Sequence, residues 1–286
     1  MKPKLNIVDY STISYLIITT LLIFSFFDEI KNPGSHLMIR VGFFSVLLLS
    51  AALRDYYRDR NFNILLNLIP LAFLGYFYNE TADFNHLFFE NLDPYIAQIE
   101  FNIFSVQPSV VFSEILPNLW FSELMNFGYF SYYLIIFSTP VLFYFKKPEL
   151  FTKVLFLILS SFYLFYFFFI IIPVVGPQFY FEGAVGEFTP QGPFGHLIKF
   201  IQEVGEVPTG AFPSSHVGIS LILGYLIFKH LRQYFTSFLL LISILTISTI
   251  YIKAHYLLDV IAAFLITPLF YYISNKLYIS LHKQYL

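Results

Sequence analysis

The sequence predicts an all-α fold: a polytopic integral membrane helix bundle of about eight spans. Three observations predict it. Hydrophobic residues make up 57% of the 286-residue chain. Charged residues make up only 12%, about half the ~25% of a soluble domain. Apolar runs recur along the chain at lengths close to the ~20 residues that cross a hydrocarbon core.

The runs, in order, are Tyr10–Phe27, Leu37–Leu53, Phe62–Tyr78, Met125–Phe145, Val154–Val174, His216–Phe228, Phe235–Ile252 and Tyr256–Ile273. The second and sixth are short and borrow flanking residues. The stretch Asn79–Glu123 is too polar to span, and its Val110–Phe121 part, with Pro108 and Pro117, reads as an interfacial or re-entrant helix. The first run has a basic start (Lys2, Lys4) but is followed by Asp28-Glu29-Ile30-Lys31, with no small-x-small pattern, so it reads as a retained signal anchor.

Lysine and arginine set the expected orientation. With the N-terminus cytoplasmic, the inner loops collect Lys2, Lys4, Arg54, Arg58, Arg60, Lys146, Lys147, Lys153, Lys229, Arg232, Lys276 and Lys283. The outer side keeps Lys31, Lys199 and Lys253, with Arg40 near the outer end of the second span. This asymmetry predicts both termini inside. The net charge of −2 does not favour nucleic acid, and the absence of cysteine excludes disulfides and thiolate chemistry.

Two motifs carry the chemistry. Pro213-Ser214-Ser215-His216 opens the sixth span, and His255 with Asp259 opens the eighth. Ionisable groups at such places call for a functional explanation. The chain descends through one span and ascends through the next between them, so both histidines return to one face, predicted to be the extracytoplasmic one. The i, i+4 spacing of His255 and Asp259 puts them on one helix face. A carboxylate on one ring nitrogen fixes the tautomer and leaves the other as a lone pair, which suits His255 as a nucleophile toward phosphorus. His216 is placed to act as acid and then base. Ser214 and Ser215 supply a helix N-terminus suited to an anion, and Lys253 is the nearest cation for a phosphate oxygen. Each part has a bland alternative: helix capping for the serines and snorkelling for Lys253.

These residues resemble the type 2 phosphatidic acid phosphatase superfamily, whose second signature reads Pro-Ser-x-His and whose third ends in His-x-x-x-Asp. The similarity covers roughly Ile171–Ile266, with Ser248–Asp259 similar to the third signature. The resemblance implies a six-helix phosphatase-like core in residues 61–286 plus two N-terminal helices in residues 1–60. It implies His255 as nucleophile, Asp259 as its partner, His216 as acid/base, and neither metal nor cofactor.

The chain departs from the phosphatase branch. It lacks the first signature with Lys and Arg-Pro, and Thr249 stands where the third has arginine. The run Pro173-Val174-Val175-Gly176-Pro177-Gln178-Phe179-Tyr180 is similar instead to the inositol phosphorylceramide synthase branch and its bacterial relatives, in which a phospho-alcohol passes between lipids. A bacterial inner membrane is the expected location. A phosphodiester carries one negative charge and a monoester up to two, so sparse cations favour diesters. Arg40 is a candidate for additional phosphate binding, and Lys199 a weaker one. Acceptor selection is expected in Glu182–Val207 or Asn79–Glu123. The expected partners are a lipid phosphate and the bilayer. The competing class is a proton-coupled transporter using His216, His255 and Asp259 as a relay. It is disfavoured because these groups cluster at one interface and no internal repeat is apparent.

Overall fold

A computed structural model describes residues 4–57, 59–181 and 192–283. Lys2, Arg58 and the Glu182–Gln191 part of the proposed acceptor loop lie outside the described residues. The described chain forms twelve α-helices: α1 (Ile7–Ser25), α2 (Pro33–Tyr57), α3 (Arg60–Phe84), α4 (Asp93–Phe104), α5 (Pro108–Ile115), α6 (Leu119–Lys146), α7 (Pro148–Ile171), α8 (Pro177–Tyr180), α9 (Pro193–Gly205), α10 (Ser215–His230), α11 (Phe235–Tyr251) and α12 (Leu257–Lys283). A 3₁₀ turn, Arg232–Tyr234, joins α10 to α11. No strand is present among the described residues.

Seven of these helices are long and apolar enough to cross a membrane: α1, α2, α3, α6, α7, α11 and α12. The eighth expected span, α10, has 16 residues. At 1.5 Å per residue it is about 24 Å long, short of a ~30 Å hydrocarbon core. It packs against α6, α7, α11 and α12, which bury most of its length.

Local chemistry sets the helix starts. Asn6 and Asp9 form a reciprocal capping box on α1. Asp59 caps α3, Asn118 caps α6 and Ser214 caps α10. Proline occupies the first turn of α4, α5, α7 and α9, where its missing N–H costs nothing. The helix α7 is the hub and packs against α1, α3, α6, α10 and α12. Its Phe156, Phe165 and Phe169 are fully buried. The helices α6 and α11 approach closely at Gly128, where an added Cβ would lie 2.5 Å from Ile244 Cγ2.

Three expectations are corrected. The Val110–Phe121 segment is not one helix: α5 ends at Ile115, Pro117 interrupts the chain, and α6 begins at Leu119, six residues before the expected Met125. The helices α4 and α9 were not anticipated. In α4 the buried face carries Asp93 and Glu100 beside Ile96 and Ala97, so its period is masked to a search for apolar residues. The last span starts at Leu257, so His255 precedes the helix instead of opening it.

Candidate active site

The site forms where three loops meet at one end of the bundle: 172–176 after α7, 206–214 before α10, and 252–256 between α11 and α12. Backbone hydrogen bonds tie them together. Ala211 N–H donates to the Val174 carbonyl at 3.1 Å, Gln178 N–H to the Lys253 carbonyl at 3.0 Å, and Ser214 N–H to the Asp259 carbonyl at 3.1 Å. Gly176 has φ +94°, and a Cβ there would sit 3.0 Å from the Ala254 carbonyl oxygen and 3.1 Å from Ala211 Cβ. Only glycine combines that backbone conformation with so close an approach.

The short helices brace this junction. Asp93 is fully buried at the start of α4. It accepts Val175 N–H at 2.7 Å, Gly176 N–H at 2.9 Å and the Tyr256 hydroxyl at 3.0 Å. One turn of α4 later, Ile96 and Ala97 pack with Val174, Ala211 and Tyr256. Glu100 accepts Leu258 N–H at 2.9 Å and so caps α12 from another helix. Burial pushes the Asp93 carboxyl upward, and pushes that of Glu100 up to about 7.

His255 is buried at the centre. Its Nδ1 lies 2.8 Å from the Ala211 carbonyl oxygen and 3.3 Å from Asp259 Oδ2. A carbonyl oxygen only accepts, so Nδ1 carries the hydrogen and Nε2 carries the lone pair. That Nε2 lies 3.1 Å from His216 Nδ1. The two rings meet edge to face with centroids 5.3 Å apart. In the neutral pair His216 is therefore the donor across that contact. Burial pushes the His255 imidazole down to about 4, which keeps the lone pair free at neutral pH.

Asp259 is positioned by its own backbone surroundings. Its Oδ2 also accepts Tyr256 N–H at 2.8 Å, which fixes the carboxylate at the start of α12. The expected His255–Asp259 contact is present, although the histidine lies in the loop and shares its Nδ1 with Ala211.

Around His216, Tyr132 and Tyr129 pack with ring centroids at 4.3 Å and 4.8 Å. The Tyr129 hydroxyl donates to Glu206 Oε1 at 2.6 Å. Glu206 Oε2 accepts from Gln178 Nε2, and Gln178 Oε1 accepts from Gln202 Nε2 at 2.9 Å. This chain of polar groups links α8 and α9 to the face of His216. Glu206, Ser215 and His216 line one cavity of about 350 Å3.

The remaining expected residues divide. Ser214 Oγ accepts Val217 N–H at 3.3 Å and caps α10, whereas Ser215 faces the cavity beside His216. Lys253 is buried in the His255 loop with φ +64°. The structure takes Arg40 elsewhere. Its guanidinium makes a two-pronged ion pair with Glu80 on α3, and Nη1 also donates to the His36 carbonyl at 3.2 Å. Lys199 is exposed on α9, 4.0 Å from Glu203.

Asp93, Glu100, Tyr129, Tyr132 and Glu206 escaped the sequence reading. The sequence does hold one trace of them: Pro173–Tyr180 marks the segment that Asp93 clamps and that supplies Gln178. The carboxylates themselves sit in segments without a recognisable motif.

No curated protein and no solved structure matches the chain. A family model described as the PAP2 superfamily matches residues 99–273, well over half of the sequence, from the middle of α4 into α12. The matched region contains Ser214, Ser215, His216, Lys253, His255 and Asp259, and with them both histidines of the junction. The chain belongs to the PAP2 superfamily.

Proposed function

We propose that this protein is a membrane-embedded phosphotransfer enzyme that works through a phosphohistidine on His255 and acts on a lipid-linked phosphate. One observation carries the reading: His255 holds its Nδ1 hydrogen on the Ala211 carbonyl and presents Nε2 to His216 at 3.1 Å. That arrangement supplies a nucleophile and an acid/base at one point.

In the first step Nε2 of His255 forms a bond to phosphorus while the bond from phosphorus to the alcohol oxygen breaks. The departing oxygen keeps the bonding electrons and takes a proton from Nδ1 of a protonated His216. Asp259 offsets the positive charge that develops on the His255 ring. In the second step water or an alcohol gives its proton to the now neutral His216. Its oxygen bonds to phosphorus, and the nitrogen–phosphorus bond breaks with its electrons returning to His255. Hydrolysis and transfer differ only in this second nucleophile.

The lysine and arginine distribution supports an extracytoplasmic site with both termini inside. Lys253, on the nucleophile's own loop, supports phosphate binding, and the sparse cations of this end favour a singly charged diester. The Pro173–Tyr180 run supports a place near the inositol phosphorylceramide synthase branch, with residues 61–286 as the phosphatase-like unit and α1 and α2 as an addition.

Lipid product analysis by mass spectrometry tests the proposal. Vesicles containing the purified protein and phospholipids should yield a dephosphorylated or head-group-exchanged lipid, and His255→Ala should yield neither. Equal product from His255→Ala would overturn it.

A further inference from the structure

The cavity beside His216 lies between α3, α6, α7 and α9. Six aromatic residues line it: Tyr78, Tyr132, Tyr133, Phe137, Phe162 and Tyr166. Among the described residues Glu206 is its only carboxylate, and no lysine or arginine lines it. The hydrogen-bond partners of Glu206, Tyr129 and Gln178, are neutral. No ion pair reaches Glu206 among the described residues. A carboxylate has about four acceptor sites, so two remain open here.

Its place relative to the histidines matters. The cavity is on the His216 side of the pair, the side on which the proposed acid meets the departing oxygen. The departing alcohol, here the head group, therefore sits in it, and the phosphatidyl group stays on His255 until the second nucleophile releases it. A second anionic group there would be repelled by Glu206, with the protonated His216 the one opposing charge among the described lining residues. An alkyl chain would desolvate the carboxylate without replacing its hydrogen bonds. A neutral polyol would satisfy the lone pairs but add no charge opposite the carboxylate. An ammonium group satisfies both and gains the attraction of the aromatic faces.

We infer that this cavity selects an ammonium-bearing head group, as in a zwitterionic phospholipid, with phosphorus at His255 and nitrogen between Glu206 and the aromatic walls. Glu206 is then the specificity-determining residue. The inference rests on the phosphohistidine reading above and names its substrate class.

The test presents phosphatidylethanolamine, phosphatidylglycerol and phosphatidic acid with matched acyl chains, in vesicles containing the full-length protein. Phosphoenzyme formation is measured for each, with kcat and KM resolved. The ethanolamine lipid should exceed the glycerol lipid in kcat/KM by about tenfold, the scale of a desolvated ammonium–aromatic contact aided by a carboxylate. Glu206→Gln should bring that ratio close to one, chiefly through KM. Tyr133→Leu, which leaves the Tyr129–Glu206 hydrogen bond in place, should lower the ratio as well and serves if the first variant does not fold. A glycerol lipid equal or superior in the wild type would overturn the inference, as would a ratio unmoved in both variants. In those cases a phosphoenzyme still forms and the reaction proposed above stands. A wild-type protein that forms no phosphoenzyme from any of the three lipids would overturn both.

Discussion

Asp259→Asn separates two jobs that one carboxylate performs in a familiar catalytic triad. Where the carboxylate alone holds the histidine, its amide costs about 10⁴ in kcat because the ring adopts the wrong tautomer. Here the Ala211 carbonyl lies nearer to His255 Nδ1 than Asp259 does, 2.8 Å against 3.3 Å. The ring should therefore keep its Nδ1 hydrogen in the variant. What is lost is the negative charge opposite the ring as it becomes a phosphoimidazolium. At a separation of about 4 Å and an effective dielectric constant of about 20, that attraction is about 4 kcal/mol. The expected loss in the rate of phosphoenzyme formation is thus about 10³-fold. Single-turnover kinetics measures the rate, and ¹⁵N NMR of histidine-labelled protein reads the tautomer. A ring that switches to Nε2–H in the variant would refute the role given to Ala211. A loss below about tenfold would refute the charge argument.

Three further outcomes follow from the same geometry. His255→Ala should abolish the phosphoenzyme, whereas His216→Ala should form it more slowly by about 10²-fold, as loss of a general acid does; rapid-quench labelling distinguishes them. Glu100→Gln should flatten the pH dependence of thermal stability. Burial holds the folded carboxyl up to about 7 against an ordinary 4.5, so its contribution is complete below about 4.5 and is lost as pH rises through 7, by at most about 3 kcal/mol; the wild type should lose more heat resistance between pH 5 and 8 than the variant, which keeps the smaller dependence due to Asp93. Arg40→Ala should destabilise the protein by about 3 kcal/mol, because the buried Glu80 loses its guanidinium and keeps only His36 beside it, with donor KM unchanged; a raised KM at unaltered stability would return Arg40 to the phosphate.

The sequence made the bundle legible because apolar length is a strong constraint in lipid. It also made His216, His255 and Asp259 legible, because each is an ionisable group beside an apolar run. Their meeting followed from counting spans: a down-and-up hairpin returns the chain to one face. Arg40 shows the limit of that reasoning. Depth along α2 was readable, but the partner Glu80 lies 40 residues away on α3, and only packing brings the two together. Asp93, Glu100 and Glu206 were illegible for a related reason. Each acts through a contact with a distant loop or helix, and none lies in a periodic apolar run. The start of α12 was misplaced by a residue because Tyr256 is apolar enough to extend the run, while its backbone N–H is already taken by Asp259.

Direct trapping of the intermediate tests the central claim. The wild-type protein, mixed with a phospholipid donor, quenched in alkali to preserve the phosphorus–nitrogen bond and digested for mass spectrometry, should carry the donor's phosphorus, with the alcohol it retains, on His255. A modification confined to His216 or to a serine, or turnover with no labelled histidine at any time point, would contradict it.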